Sequence, residues 1–311
     1  MENARLTAKP SIVGIGMAIV DILTQVPHLP RPDEVIEVSS VVVDGGGPVA
    51  SALATASRLG TPCAFVGCVG DDHWGSLIVA GLEAFGVDAT HVYRRQASDS
   101  PRAVILADGR SGRRSIMYCR GSARPLAAEE VPMDLVARAR VLHLDGLHGE
   151  AALAAAQEAR SRGVAVSMDG GAGPLWPGME KLIPLVDLLI VAREFATERT
   201  GHDDPREAGA ALVAAGSRHV VVTDGPGGAW SWVGETELHQ PAYRVEVVDS
   251  TGAGDAFHGA YLHAWVGGED PRACLRFACA VGALACTRLG GRAGLPQAKE
   301  VEALVRSQAD R

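Results

Sequence analysis

The 311-residue chain predicts an α/β fold: a mostly parallel central sheet with helices on both faces. Two observations carry this. Short apolar runs of strand length alternate with stretches of helical apolar spacing along most of the chain. Composition agrees, because 47% of residues are hydrophobic and only 5% aromatic, so Ala, Val and Leu must fill a large core. The length suits one large domain over residues 1–311.

Ser11–Gly16 reads as a first buried strand ending in glycine. Gly47–Leu59 reads as a helix, with Pro48 suited to the first helical position and Gly60 as the stop. Cys63–Val69 is an apolar run of strand length, and Gly75–Phe85 is a helix closed by Gly86. Val141–Leu144, Val164–Met168, Leu188–Val191 and His219–Thr223 are further buried strands. Ala151–Arg162 and Pro205–Ala215 are helices between them. The last helix, Pro271–Arg288, is followed by no strand. Two regions break the alternation. Val35–Val43 and Ala103–Tyr118 carry strand residues without helices between them. In the second, Asp108-Gly109-Arg110-Ser111-Gly112 is a hairpin turn between Ala103–Leu106 and Ser115–Tyr118. Together they predict a small separate β sheet, a lid drawn from about residues 17–43 and 97–120.

The net charge of -8 argues against a nucleic-acid partner, which normally meets a basic face. The six cysteines form no C-x-x-C pair, have no zinc-like spacing to histidine and lie mostly in apolar runs, which suits a reducing cytoplasm. Met1–Pro10 has no apolar h-region, and no run of about 18 apolar residues predicts a membrane span.

The run Asp249-Ser250-Thr251-Gly252-Ala253-Gly254-Asp255-Ala256-Phe257 is the strongest chemical signal. Phe257, Ala260, Tyr261, Ala264 and Trp265 recur at helical spacing after it. A glycine-rich turn entering a helix exposes unpartnered N–H groups at the positive end of the helix dipole, a place that suits phosphate. Asp255 there repels an anion unless its task is to meet a hydroxyl that attacks a phosphoryl group. The alternative is an ordinary Asp N-cap, but Gly-Ala-Gly is more than a cap needs.

Gly46-Gly47-Pro48-Val49-Ala50-Ser51-Ala52-Leu53-Ala54-Thr55-Ala56-Ser57-Arg58-Leu59-Gly60 resembles the N-terminal signature of the ribokinase-like (PfkB) carbohydrate kinases. Asp249–Phe257 resembles their C-terminal signature, about 200 residues later. Val66-Gly67-Cys68-Val69-Gly70-Asp71-Asp72-His73-Trp74-Gly75 is similar to their G-x-V-G-x-D-x-x-G stretch. The likeness runs from Ile12 to Pro296. Cys286–Pro296 and His258 most resemble the branch containing ketohexokinase and sulfofructose kinase. The resemblance implies a three-layer α/β/α domain with a β lid, often a homodimer through that lid. It implies ATP and Mg2+, K+ in many members, and a sugar substrate.

By resemblance, Asp255 is the catalytic base, and Gly252, Ala253 and Gly254 form the anion hole. Asp21 would receive sugar hydroxyls, with Gly45, Gly46, Gly47 and Ser51 lining the sugar. Ser51 stands where the family usually has Asn. Thr223, Gly225 and Gly228 fall in a nucleotide loop, Thr223-Asp224-Gly225-Pro226-Gly227-Gly228. Asp249 and Thr251 align with positions that border a monovalent-cation site in many members; a carboxylate that orients the loop is an equal reading of Asp249. The family's N-x-x-E is not matched near Ala192–Phe195, where Glu194 is the first substitute and Glu198 the second. Arg102, Arg113, Arg114 and Arg120 lie in or beside the lid, where one of them is placed to meet an anionic group. His143 and His148 read as loop histidines near the site edge.

A nucleoside kinase on the same fold is the runner-up, weakened by few aromatics near the lid. A non-catalytic sugar or nucleotide sensor would show a lost base or a broken anion hole, and both are intact here. A dinucleotide enzyme fits poorly, because Gly14-Ile15-Gly16-Met17-Ala18-Ile19 lacks the last glycine of G-x-G-x-x-G.

Overall fold

The structure is a computed structural model that describes residues 10–110, 113–171 and 178–308. In chain order it runs β1 (Ile12–Ile15), β2 (Ile19–Val26), β3 (Val42–Gly46), α1 (Pro48–Arg58), β4 (Cys63–Gly70), α2 (His73–Ala84), β5 (Asp88–Arg95), β6 (Arg102–Asp108) and β7 (Arg114–Cys119). It continues α3 (Met133–Val136), β8 (Val141–Leu144), α4 (Gly149–Ser161), β9 (Ala165–Asp169), α5 (Met179–Leu182), β10 (Leu188–Ala192), α6 (Arg193–Thr200), α7 (Pro205–Ala214) and β11 (His219–Thr223). The edge hairpin β12 (Ala229–Val233) and β13 (Thr236–Gln240) precedes α8 (Ala253–Gly267), α9 (Pro271–Ala285) and α10 (Ala298–Ser307).

The large sheet has the order β13-β12-β11-β10-β9-β8-β1-β4-β5. Strands from β5 to β11 pair in parallel, and β12 and β13 join antiparallel. Both faces of the parallel part are buried from β4 to β11, which is why those strands read as unbroken apolar runs, whereas the edge strand β5 is half-exposed and polar. Side chains alternate between two cores. Ile12 faces a core with α1, α2, α8, α9 and α10, while Val13 and Ile15 face one with α3 to α7. This makes three layers. Gly259 fixes the spacing of two helices, since a Cβ there would run into the Ala52 carbonyl of α1. That close crossing packs the middle of α8 against the middle of α1.

The lid is a second sheet, β3-β2-β6-β7, joined antiparallel, parallel and antiparallel. β6 and β7 form the expected hairpin, though Ser111 and Gly112 of its turn lie outside the described residues. Two expectations need correction. Residues 35–41 are not strand: Val35 is 97% exposed, so its β-branched residues have no face to bury, and β3 is Val42–Gly46 instead. Pro271–Ala285 is also not the last helix, because α10 follows and buries Val301.

Candidate active site

β1 is the point at which the parallel sheet reverses its order, with β4 on one side and β8 on the other. Open α/β sheets bind ligands beyond the carboxyl ends of their strands at such a point. Here the carboxyl ends present Gly16, Asp145, Asp169, Arg193 and Asp224 in spatial order from β1 to β11. The lid stands over the β1 end through Tyr118, whose hydroxyl donates to Met17 Sδ at 2.9 Å.

The loop before α8 is tied down first. Its Val248 and Asp249 amides donate to the Cys286 carbonyl at 2.8 and 3.2 Å. Asp249 is fully buried, and its Oδ1 accepts from Thr251 N and Oγ1 at 2.9 and 2.7 Å. Its Oδ2 accepts from Gly290 N at 3.0 Å. Both oxygens therefore tie Asp249 to its own loop and to the turn at Gly290. Gly252 follows in the left-handed region at φ 71°, and a Cβ there would lie 2.8 Å from Gly291 Cα. Only glycine satisfies both demands.

Gly252 is thus the N-cap of α8, and Asp255 is the third helical residue rather than a cap. The Ala253 amide donates to Ser250 O at 3.3 Å, so it is partly occupied. The Gly252 and Gly254 amides have no acceptor among the described residues, and a Cβ on Gly254 would meet nothing within 4 Å. Open space therefore lies in front of the helix start. Asp255 is half-buried beside it. Burial first, and then the Asp169 carboxylate, push Asp255 up to about 7, against the opposing pull of Arg114 and Arg292.

Asp21 lies on β2 and is 4% exposed. Its Oδ1 has no hydrogen-bond partner among the described residues. A buried carboxylate left this way is costly and has capacity to accept further hydrogen bonds. Burial, and then the Asp255 carboxylate, raise it to about 7. Asp21 and Asp255 therefore face one another electrically across the lid and the body. Gly46 touches the Asp21 carboxylate so closely that a Cβ would strike it, and Gly47 is the N-cap of α1 at φ 98°. Ser51 departs from its expected place: it is buried, and its hydroxyl accepts from Arg292 Nε at 3.2 Å, not from the side that Asp21 faces.

Of the lid arginines, Arg114 reaches the loop before α8, donating from Nη1 to Ser250 Oγ at 3.1 Å. Arg102 turns to Ser100 O at 3.3 Å. His148 is held by Gly16 O at 3.1 Å and Leu126 N at 3.2 Å, a satisfied loop histidine as expected. His143 is buried against Ser167 at 3.3 Å.

At the other end, register pairs Ala192 with Thr223, so the segments after β10 and β11 leave the sheet side by side. Arg193 Nη1 bridges them to Asp224 Oδ1 at 2.9 Å, and Glu194 is exposed in the first turn of α6. Gly225 opens the loop with free space around its missing Cβ, while Gly228 packs against the Gln240 carbonyl. Sequence reasoning missed Asp145, Asp169, Asp44 and Arg292. Asp145 pins the β1 turn through Met17 N at 2.8 Å. Asp145 and Asp169 each stand at the end of a buried strand, the signal that would have found them.

A family model, "pfkB family carbohydrate kinase", matches residues 9–298. The chain belongs to the pfkB family of carbohydrate kinases. This carbohydrate kinase is 27% identical to the deoxyribokinase of Salmonella typhi over 93% of its own length and 96% of that protein's. A crystal structure of a putative ribokinase from Agrobacterium tumefaciens shares its fold at TM-score 0.88 and 28% identity, covering 98% of this chain and all of that one. Arabidopsis thaliana ribokinase complexed with ribose and ATP follows at TM-score 0.82 and 27% identity, over 96% of this chain and 99% of that one. The ribokinase-like fold is thereby established for this kinase. Among the described residues, no helix is long and apolar enough to cross a membrane.

Proposed function

We propose that this kinase transfers the γ-phosphoryl group of ATP to a hydroxyl of a monosaccharide or close derivative, with ketose-like acceptors favoured. One observation carries the reading: Asp255 is half-buried in the first turn of α8, beside open amides, and is opposed by the unpartnered carboxylate of Asp21. Asp21 accepts two acceptor hydroxyls and turns a third toward Asp255. Asp255 takes that hydroxyl's proton as its oxygen bonds to the γ-phosphorus. The bond from phosphorus to the bridging oxygen breaks, and ADP leaves with the electron pair. The Gly252 and Gly254 amides meet the charge on the migrating phosphoryl group, with Arg114 placed above them. Thr223, Gly225 and Gly228 seat the nucleotide at the β11 end. The donors near its phosphates are carboxylate oxygens, Glu194 foremost, and these suit Mg2+ carried in on the nucleotide. Magnesium supplies charge neutralisation on the phosphate oxygens. The ribose-and-ATP complex of the Arabidopsis relative supports both substrate classes. The ketose preference rests on the Cys286–Pro296 segment.

The lid's outer face carries an apolar row across its strands: Val43, Ile22, Val104 and Met117 share one side by register. Val43, Val104 and Met117 are exposed. A second copy of the lid covers this row in a homodimer.

The test is ATP turnover across ketoses, aldoses, sugar acids and nucleosides, with Asp255→Asn as control. Sugar-dependent ADP release that falls about 10²–10⁴-fold in the variant, with ATP affinity kept, is the expected result. Turnover on nucleosides alone moves the assignment to a nucleoside kinase. Tight sugar binding without turnover makes the protein a sensor.

A further inference from the structure

Arg292 has no part in the chemistry above, yet it is among the largest fully buried side chains, 2% exposed. A guanidinium is costly to bury unless it is paired. Arg292 forms no ion pair among the described residues. Its Nε donates to Ser51 Oγ at 3.2 Å and its Nη2 to Gly46 O at 3.0 Å, while Nη1 has no partner. Its backbone N–H donates to Asp44 Oδ2 at 2.9 Å. Burial works against its charge, and Asp44, Asp21 and Asp255 sustain that charge from a distance.

The two glycines before α1 show where it sits. A Cβ on Gly46 would strike the Asp21 carboxylate, and a Cβ on Gly45 would strike the Arg292 guanidinium. Successive strand residues face opposite sides. The β3 backbone therefore passes between Asp21 on one face and Arg292 on the other, and only a strand without side chains is thin enough. Ser51 leaves room behind this strand. A longer residue at that position would meet the guanidinium that its hydroxyl now holds.

The charges around Asp21 are lopsided. From α8 comes Asp255, from β3 Asp44 and from the loop before α8 Asp249, and each favours the protonated carboxyl. Arg292, from the turn after α9, opposes them. A carboxyl that is to accept from two hydroxyls must be ionised.

We propose that Arg292 is a positioning residue of the acceptor site: from behind β3 it fixes the Gly45–Gly47 backbone and supplies the countercharge that keeps Asp21 ready to accept hydroxyls. The inference rests on the sugar-kinase reading of this site. It assigns to Arg292 and Ser51, as a pair, the control of acceptor affinity, and leaves the nucleotide end untouched.

The experiment uses the full chain with Mg-ATP and the best acceptor from the panel. It compares wild type, Arg292→Gln and Arg292→Lys by KM for each substrate and by the pH profile of kcat/KM for the acceptor. In Arg292→Gln the acceptor KM rises about tenfold near neutrality, the equivalent of one pK unit on Asp21. The ATP KM stays within about twofold, and the acid limb moves to higher pH. Arg292→Lys keeps the limb in place but raises the acceptor KM, because an ammonium lacks the fork that holds Ser51 and Gly46. Unchanged acceptor KM and limb in both variants overturn the proposal, as does an equal rise in both KM values. If Arg292→Gln does not fold, the lysine variant decides by its acceptor KM alone. Wild-type turnover with unaffected variants refutes this inference and spares the kinase reading. No sugar-dependent turnover in wild type refutes both.

Discussion

Gly254→Ala separates stability from catalysis at a single atom. Gly254 is the second residue of α8, is exposed, and does not occupy the left-handed region. A methyl group there meets nothing within 4 Å, so the fold accepts it. Replacing glycine by alanine in a compatible helical position stabilises by about 0.5–1 kcal/mol, because the unfolded chain has less freedom to lose. In a domain of this size that raises Tm by roughly 1–3 °C. The same methyl enters the open space beside the Gly252 and Gly254 amides, where the proposed reaction brings the migrating phosphoryl group within hydrogen-bond distance. Both N–H groups remain, but a donor that the phosphoryl oxygen cannot reach acts as a lost one, and losing one donor of an oxyanion-type site costs about 10²–10³ in kcat, or about 2.7–4 kcal/mol. The two effects have opposite signs. A thermal melt and a coupled ADP-release assay measure them on the same sample. A variant that melts higher and still turns over at the wild-type rate shows that the phosphoryl group does not pass here. A variant that melts several degrees lower refutes the claim that the space is open.

Gly46→Ala drives a Cβ into the Asp21 carboxylate, so the acceptor KM should rise by about tenfold or more with the ATP KM little changed, as steady-state kinetics will show. Asp21 and Asp255 must both be ionised to act, and both are raised to about 7; kcat/KM for the acceptor should therefore climb with pH through the neutral range and level off above it. A profile that is flat from pH 5 to 8, a window of roughly one to two units either side of neutrality, removes both carboxylates from the rate law. Met117→Lys places a charge in the apolar row of the lid, where Met117 is 55% exposed, and light scattering should find a monomer in place of a dimer.

The parts legible in the sequence are those set by neighbours in the chain. The inner parallel strands announce themselves as apolar runs because both of their faces are buried, unlike the edge strand β5, and Pro48 marks the first residue of α1. The glycine loop and Asp255 fall within one nine-residue run. The illegible parts depend on partners far away. Arg292 and Asp44 meet across 248 positions. Val35–Val43 has strand composition, but strand formation needs a surface to cover, and Val35 finds none. Ser51 and Asp249 likewise take partners that no local pattern shows. Ser51 turns to Arg292, and Asp249 spends both oxygens on Thr251 and Gly290.

As the proposed base, Asp255 would draw strength from Asp169, whose removal should act in the sense opposite to the loss of Arg292. It ends β9, is buried, and is the charge that most raises Asp255 after burial itself. Its nearest possible counterion is His258, one turn beyond Asp255 on α8, with Nε2 3.6 Å from Asp169 Oδ2. Burial pushes His258 down to about 3, so the imidazole is neutral at working pH and does not cancel the carboxylate. Asp169 is itself raised, to about 6, by burial, and is ionised above that pH. Above about pH 6, then, an uncancelled negative charge lies beside the base. Asp169→Asn removes it. Asp255 then ionises at lower pH, so the acid limb of kcat/KM moves down. Its carboxylate is also a weaker base, so the plateau kcat falls, by up to about tenfold if proton transfer limits the rate. Profiles of wild type, Asp169→Asn and Arg292→Gln, measured together, test this directly. The two variants should bracket the wild-type limb, one below and one above. If both shift the same way, charge at these two positions does not tune Asp255, and the raised carboxyl owes its state to burial alone.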